Sequence, residues 1–166
     1  MKRPLICNDY FIVKSEMVLN GRMIEEQIPE EVNGIFDCSD LGLTTLEGSP
    51  TKVVSSFKCN NNLLTDLKGA PKYVLNHFYS LHNNLTSLEG CPVFIQGNLR
   101  IKQDYDLSIE QEYIRTPYYD PENYWLGLLK YMIVYKKDLN KIKGWPKGFL
   151  TDDLIKSVSS ISKFNL

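Results

Sequence analysis

Between Phe36 and Gln103 one pattern is written three times with a constant step of 21 residues. FDCSDLGLTTLEGSPTKVVSS begins at Phe36, FKCNNNLLTDLKGAPKYVLNH at Phe57 and FYSLHNNLTSLEGCPVFIQGN at Phe78, and LRIKQD opens a further copy at Leu99. Leucines recur at Leu43, Leu64 and Leu85, and again at Leu46, Leu67 and Leu88. Glycine, proline and an aliphatic residue return as Gly48-Pro50-Val53, Gly69-Pro71-Val74 and Gly90-Pro92-Ile95. A fixed period of this size is the signature of a solenoid, whose units bury their apolar sides only against their neighbours in the stack. The period defines an architecture and points toward a binding role without naming a partner.

Within a unit, Phe57-Lys58-Cys59-Asn60 alternates apolar and polar, so it predicts a short strand with Phe57 and Cys59 facing inward. Leu64 and Leu67 point back into the core. Gly69-Ala70-Pro71 marks a turn, since glycine tolerates positive φ and proline cannot donate to a strand ladder. Val74 re-enters the core before the next strand. This grammar resembles that of the leucine-rich repeat family, L-x-x-L-x-L-x-x-N-x-L, with Phe and Cys at the strand positions and Gly-x-Pro in the return segment. The return is too short and too rich in turn residues for a full helix, so an extended or 3₁₀ convex side is expected. The LTSLEGCP-like returns also resemble those of repeat proteins from large tailed phages and giant viruses. Two consequences come from the family resemblance alone. Asn62 and Asn83 are expected to form a ladder satisfying buried backbone groups at the bend after each strand, and the exposed sheet face is expected to bind a partner.

The flanks carry weaker signals. Tyr10-Phe11-Ile12-Val13 reads as a strand, and Asn20-Gly21 between Met17-Val18-Leu19 and Arg22-Met23-Ile24 is a strong hairpin signal. Pro29 and Val32 stand 21 residues before Pro50 and Val53, so a degenerate repeat ends near Gly34, and the hairpin is expected to cap the first open strand edge. After Asp104 the period is lost. Glu110 to Arg115 is compatible with a helical turn broken at Thr116-Pro117. Asp120-Pro121-Glu122 predicts a helix start, with Tyr124, Trp125, Leu128, Leu129 and Met132 at helical spacing. Leu139, Ile142, Gly144, Pro146 and Phe149 repeat the grammar of Leu85 to Ile95. Residues 131–135 are therefore read as a fifth strand after a helix at about 121–130, with a helix running through Lys137 as the alternative. Thr151-Asp152-Asp153 opens a second helix over about 152–163, with Leu154, Ile155, Val158, Ile161 and Phe164 as its apolar stripe, expected to cover the last repeat's open edge.

The expected fold class is thus α+β: a short leucine-rich-repeat-like solenoid of parallel β strands in 21-residue repeats, with an N-terminal hairpin cap and C-terminal helices. Its parts are a cap and degenerate repeat at 1–34, three full repeats and a fourth strand at 35–104, a helical insertion at 105–130, and a degenerate repeat with a capping helix at 131–166. All are read as one domain.

A net charge of −1 gives no reason to expect general nucleic-acid binding, although residues 120–166 carry eight lysines against five acids. No apolar run reaches the eighteen or so residues that span a bilayer, and MKRPLICNDYFIVK shows no secretory leader pattern. Cys38 and Cys59 share a strand position and should stack about 5 Å apart. Reduced core thiols are favoured over a disulfide there, and no Cys/His spacing suggests zinc. A cytoplasmic protein without cofactor is expected.

No catalytic constellation is evident. His77 and His82 sit at the margins of one strand while the cysteines point inward, and pairs such as Glu30-Glu31 read as solvated surface. There is no phosphate-cradling glycine loop. The candidate site is the outward face: Asp37 and Ser39, Lys58 and Asn60, Tyr79 and Leu81, Arg100 and Lys102, flanked by His82 and Gln103. An outward Tyr79-x-Leu81 beside Arg100 has the composition of an interface anchor. The residues predicted to meet the partner are Asp37, Lys58, Asn60, Tyr79, Leu81, His82, Arg100 and Lys102, and the partner expected is another protein. On the phage resemblance, the chain would be an accessory protein that binds and inhibits or redirects a host protein in the infected cell's cytoplasm. A nucleic-acid-binding or virion structural protein is the alternative. The aromatics Tyr105, Tyr113, Tyr118, Tyr119, Tyr124 and Trp125 form a second candidate surface, weighed against simple packing.

Overall fold

The computed structural model describes residues 2–101 and 106–164, with side chains through Ile161. Lys102, Gln103, Tyr105 and the side chain of Phe164 therefore lie outside the described residues. The chain divides into two compact units, Met1–Asp106 and Leu107–Leu166.

The first unit is a parallel-strand solenoid. In chain order its strands are β1 (Ile6–Cys7), β2 (Phe11–Ile12), β3 (Val18–Leu19), β4 (Arg22–Met23), β5 (Glu31–Val32), β6 (Phe36–Asp37), β7 (Lys52–Val53), β8 (Phe57–Lys58), β9 (Tyr73–Val74), β10 (Phe78–Tyr79), β11 (Phe94–Ile95) and β12 (Leu99–Arg100). Among the described residues these pair into two five-stranded parallel sheets, β1-β5-β7-β9-β11 and β2-β6-β8-β10-β12, plus the antiparallel hairpin β3–β4. The return segment is extended, as expected, and its residues also pair from coil to coil into a sheet of their own.

Left-handed residues bend the chain at two points of each full coil. Asp40, Asn61 and His82 take φ of 61°, 54° and 56° just after β6, β8 and β10, and Gly48, Gly69 and Gly90 take 91°, 87° and 87° in the return. Asn and Asp tolerate that region better than most residues, and glycine enters it freely.

The 21-residue step brings like onto like. Phe11, Phe36, Phe57 and Phe78 stack with centroids 5.8, 5.3 and 5.0 Å apart. Leu43, Leu64, Leu46, Leu67, Val53 and Val74 complete fully buried columns beside them. Burying each such side chain contributes about 1.5–3 kcal/mol. Cys38, Cys59 and Ser80 form a further buried column, in which the Cys38 thiol donates to Lys58 O at 3.4 Å and the Cys59 thiol to Tyr79 O at 3.3 Å. All four cysteines are free thiols. Burial pushes the Cys59 thiol up to about 12 and, with Cys59 and Asp37 nearby, raises Cys38 well above the usual thiol range. Because the thiolate is the reactive form, only the partly exposed Cys7 is expected to react with a thiol-specific chromophore in the native protein. The titre should rise from one to four equivalents on unfolding. Prompt reaction of Cys38 or Cys59 in the folded state would contradict the buried column.

The N-terminal region adds a strand to each sheet. Phe11 lies 25 residues before Phe36 and pairs with it in register, so an additional coil precedes the first full repeat. The extra length is the β3–β4 hairpin, turning through Asn20 and Gly21 at φ 53° and 74°. The hairpin is a widened corner of that coil and lies over the first full repeat, where Thr44 N donates to Gly21 O at 2.9 Å, and β1 and β2 are the outermost strands of their sheets. Arg3 fastens this coil to the next, donating to Ile28 O at 2.9 Å and Ser49 O at 2.6 Å while pairing with Glu25 at 3.0 Å.

The second unit is helical: α1 (Ser108–Tyr113), α2 (Tyr124–Val134) and α3 (Asp152–Phe164), with a 3₁₀ turn at Leu139–Lys141. The fifth strand read at 131–135 is not there. α2 runs through it, because Tyr124, Leu128, Leu129, Tyr131 and Met132 form one buried helical face. The helix ends in a Schellman arrangement: Lys137 N donates to Met132 O at 2.7 Å and Lys136 N to Ile133 O at 3.2 Å, with Lys136 at φ 54°. Asp120 does not cap the helix directly. Its carboxylate closes the preceding turn by accepting from Glu122 N and Asn123 N, both at 3.0 Å. Those bonds, that from Asn123 foremost, hold its carboxyl below the ordinary range. Thr151 does cap α3, accepting from Leu154 N at 3.1 Å, and α3 packs along α2.

Candidate functional site

The outer face of the β2-β6-β8-β10-β12 sheet carries most of the predicted residues. Strand register places Ile12, Asp37, Lys58, Tyr79 and Arg100 in one column across five neighbouring strands. At about 4.8 Å between strands the column is about 19 Å long.

Two side chains lie against Tyr79. The Lys58 ammonium lies 6.0 Å from its ring centroid, and the His77 ring centroid lies 5.8 Å away with the two rings at 64°. His77 is itself fixed, its Nδ1 accepting from Asn98 N at 3.0 Å and its backbone N donating to Ser56 Oγ at 3.4 Å. Nδ1 as acceptor places the ring proton on Nε2. Tyr79 is therefore a half-buried aromatic on a rigid support, the kind of side chain that loses little entropy on binding. At the other end of the column Asp37 accepts from Tyr10 Oη at 3.2 Å and Ser39 N at 3.0 Å. Burial first, then the Asp37 charge, raises the Tyr10 phenol.

The remaining predicted residues divide. Asn60 and Leu81 occupy the next row, but the Asn60 carboxamide accepts from Leu81 N at 2.8 Å, and Asn60 N donates to Ser39 Oγ at 3.1 Å. Asn60 thus fastens coil to coil. His82 is exposed at the corner beyond β10, at the opposite end of that strand from His77, so the two imidazoles do not converge. Arg100 is exposed, and Lys102 lies outside the described residues. The expected asparagine ladder is present. Asn62 Oδ1 accepts from Leu41 N and Leu43 N, and Asn83 Oδ1 accepts from Leu64 N.

Sequence reasoning missed the side-chain role of His77 and the second sheet's outer face. The second aromatic cluster is mostly packing. Tyr113 and Tyr124 are buried, and the Tyr113 hydroxyl donates to Tyr124 O at 3.0 Å and accepts from Asp120 N at 3.1 Å. No three His, Cys, Asp or Glu side chains gather in metal-binding geometry among the described residues. No described helix is long and apolar enough to cross a membrane. Comparison with protein-family models, with curated proteins and with solved structures finds no match to this chain.

Proposed function

We propose that the chain is a non-enzymatic protein-binding module whose contact surface is the outer face of the β2-β6-β8-β10-β12 sheet. One observation carries this reading: Tyr79, braced by Lys58 and His77, stands in register beside the exposed Arg100. Tyrosine and arginine are the residue types that dominate interface energetics. Asp37, Lys58 and Arg100 place both charge signs along the column, which would fix a partner's orientation more than its affinity.

The resemblance of the Gly-x-Pro returns to viral repeat proteins supports a narrower form of the reading. In it the chain is a phage accessory protein that binds a host protein in the infected cell's cytoplasm, a defence factor for example, and inhibits or redirects it.

The test is affinity capture from a bacterial host lysate with the parent and a Tyr79→Ala/Arg100→Ala double variant. Both side chains lie on the outer face, so the variant should melt within a few degrees of the parent. A single protein retained by the parent should lose at least about tenfold in affinity to the variant. Equal retention by both would overturn the site assignment. Retention of nucleic acid that falls steeply with salt would replace a protein partner with nucleic acid.

A further inference from the structure

We propose that the outer face of the other sheet, β1-β5-β7-β9-β11, pairs with the same face of a second copy of this chain. Its register sets Ile6, Glu31, Lys52, Tyr73 and Phe94 in one outward column. Ile6, Tyr73 and Phe94 are 56%, 44% and 47% exposed, and their neighbours Leu5 and Val93 are 59% and 50% exposed. They form an apolar group at each end of the column, Leu5 with Ile6 and Tyr73 with Val93 and Phe94, and contiguous exposed apolar groups mark interaction sites.

The distribution of charge selects the occupant. Strand β5 and the residue before it present Glu30 and Glu31, whereas β7 and β9 present Lys52 and, just before Tyr73, Lys72. The face is therefore acidic toward its N-terminal end and basic toward its C-terminal end, with an apolar pair at each extremity. A two-fold axis along the stacking direction would set acid on acid and lysine on lysine. A two-fold axis parallel to the strands and passing through β7 reverses the strand order instead. It sets Glu30 opposite Lys72 and Glu31 opposite the Tyr73 hydroxyl. Leu5 and Ile6 then meet Val93 and Phe94. Such a surface is self-complementary, the condition for a closed two-fold dimer. Lys52 falls on the axis and meets its own copy, the one like-charge contact of this arrangement, and its long stem can carry the ammonium out to solvent beside the opposing Glu31.

The strip is only about 19 Å long, short of the roughly 800 Å² per partner of a standard interface, so the dimer should be weak and concentration-dependent. Sedimentation velocity from about 10 µM to about 1 mM tests it. The parent should shift from monomer toward dimer across that range. Phe94→Glu, which alters only an exposed side chain, should raise the dissociation constant by more than about tenfold with the thermal midpoint unchanged. Glu30→Lys should weaken the dimer, and Glu30→Lys combined with Lys72→Glu should restore it, as only an acid-to-lysine contact between copies predicts. A parent that stays monomeric throughout, or a dimer indifferent to Phe94→Glu, would overturn the proposal. So would a dimer abolished by Tyr79→Ala/Arg100→Ala instead.

Discussion

Gly69→Ala is expected to destabilise the solenoid by about 4 kcal/mol or more, enough to leave a small domain largely unfolded. Two independent costs meet at this residue. Gly69 sits at φ +87°, a conformation that costs an L-residue about 1–2 kcal/mol. A Cβ there would also run into Glu47 N and Leu46 C, the backbone of the preceding coil. Backbone cannot rotate aside as a side chain can, so the coils would have to part along the leucine and valine columns. Gly42 separates the two costs, because it has φ +66° with nothing within 4 Å of the added methyl. Gly42→Ala should therefore cost only the conformational part, about 1–2 kcal/mol. Chemical denaturation of the two variants beside the parent gives the comparison. Equal destabilisation by both would mean that close stacking of the coils at Gly69 does not limit stability.

That glycine also shows what the sequence could reveal. The 21-residue period made every inward column legible, because a stacked array places identical positions over one another. The same period predicted which residues share the outward column of the first sheet. The second sheet was hidden, since two-residue strands such as Lys52–Val53 and Tyr73–Val74 are too short for alternation to register. Its outer face went unread for the same reason. The bracing of Tyr79 by His77 depends on a ring nitrogen meeting a backbone N–H in the next coil, which no spacing rule reports.

The C-terminal misreading has a different cause. Leu139 to Phe149 repeats the letters of a coil without its conformation. The repeat glycines adopt φ near +90°, whereas in this stretch the positive φ falls at Gly148, at +75°, and not at Gly144. With the turn displaced, 131–135 keeps the helical spacing that buries Tyr131 and Met132. The stop signal at Lys136 was invisible because a lysine, not a glycine, takes the left-handed position.

Asn62→Ala should destabilise by about 3–4 kcal/mol while leaving partner affinity of the folded protein unchanged. The side chain is 5% exposed and points away from both outer faces. Its oxygen accepts from Leu41 N at 3.1 Å and Leu43 N at 2.9 Å, and its amide donates to Cys38 O at 3.0 Å and Cys59 O at 3.2 Å. Alanine would strand two backbone donors at a bend with no room to turn toward another acceptor, each at about 1–3 kcal/mol. Asn83, half-buried and, among the described residues, with its side-chain oxygen accepting from Leu64 N at 3.1 Å against two donors at Asn62, should cost less when replaced in the same way. The order of the two costs distinguishes a hydrogen-bonded ladder from the mere loss of two similar side chains, which would predict equal effects. If Asn62→Ala melted with the parent, the bend would be holding its shape through the leucine columns alone. Stability of the coil would then owe nothing to the asparagine.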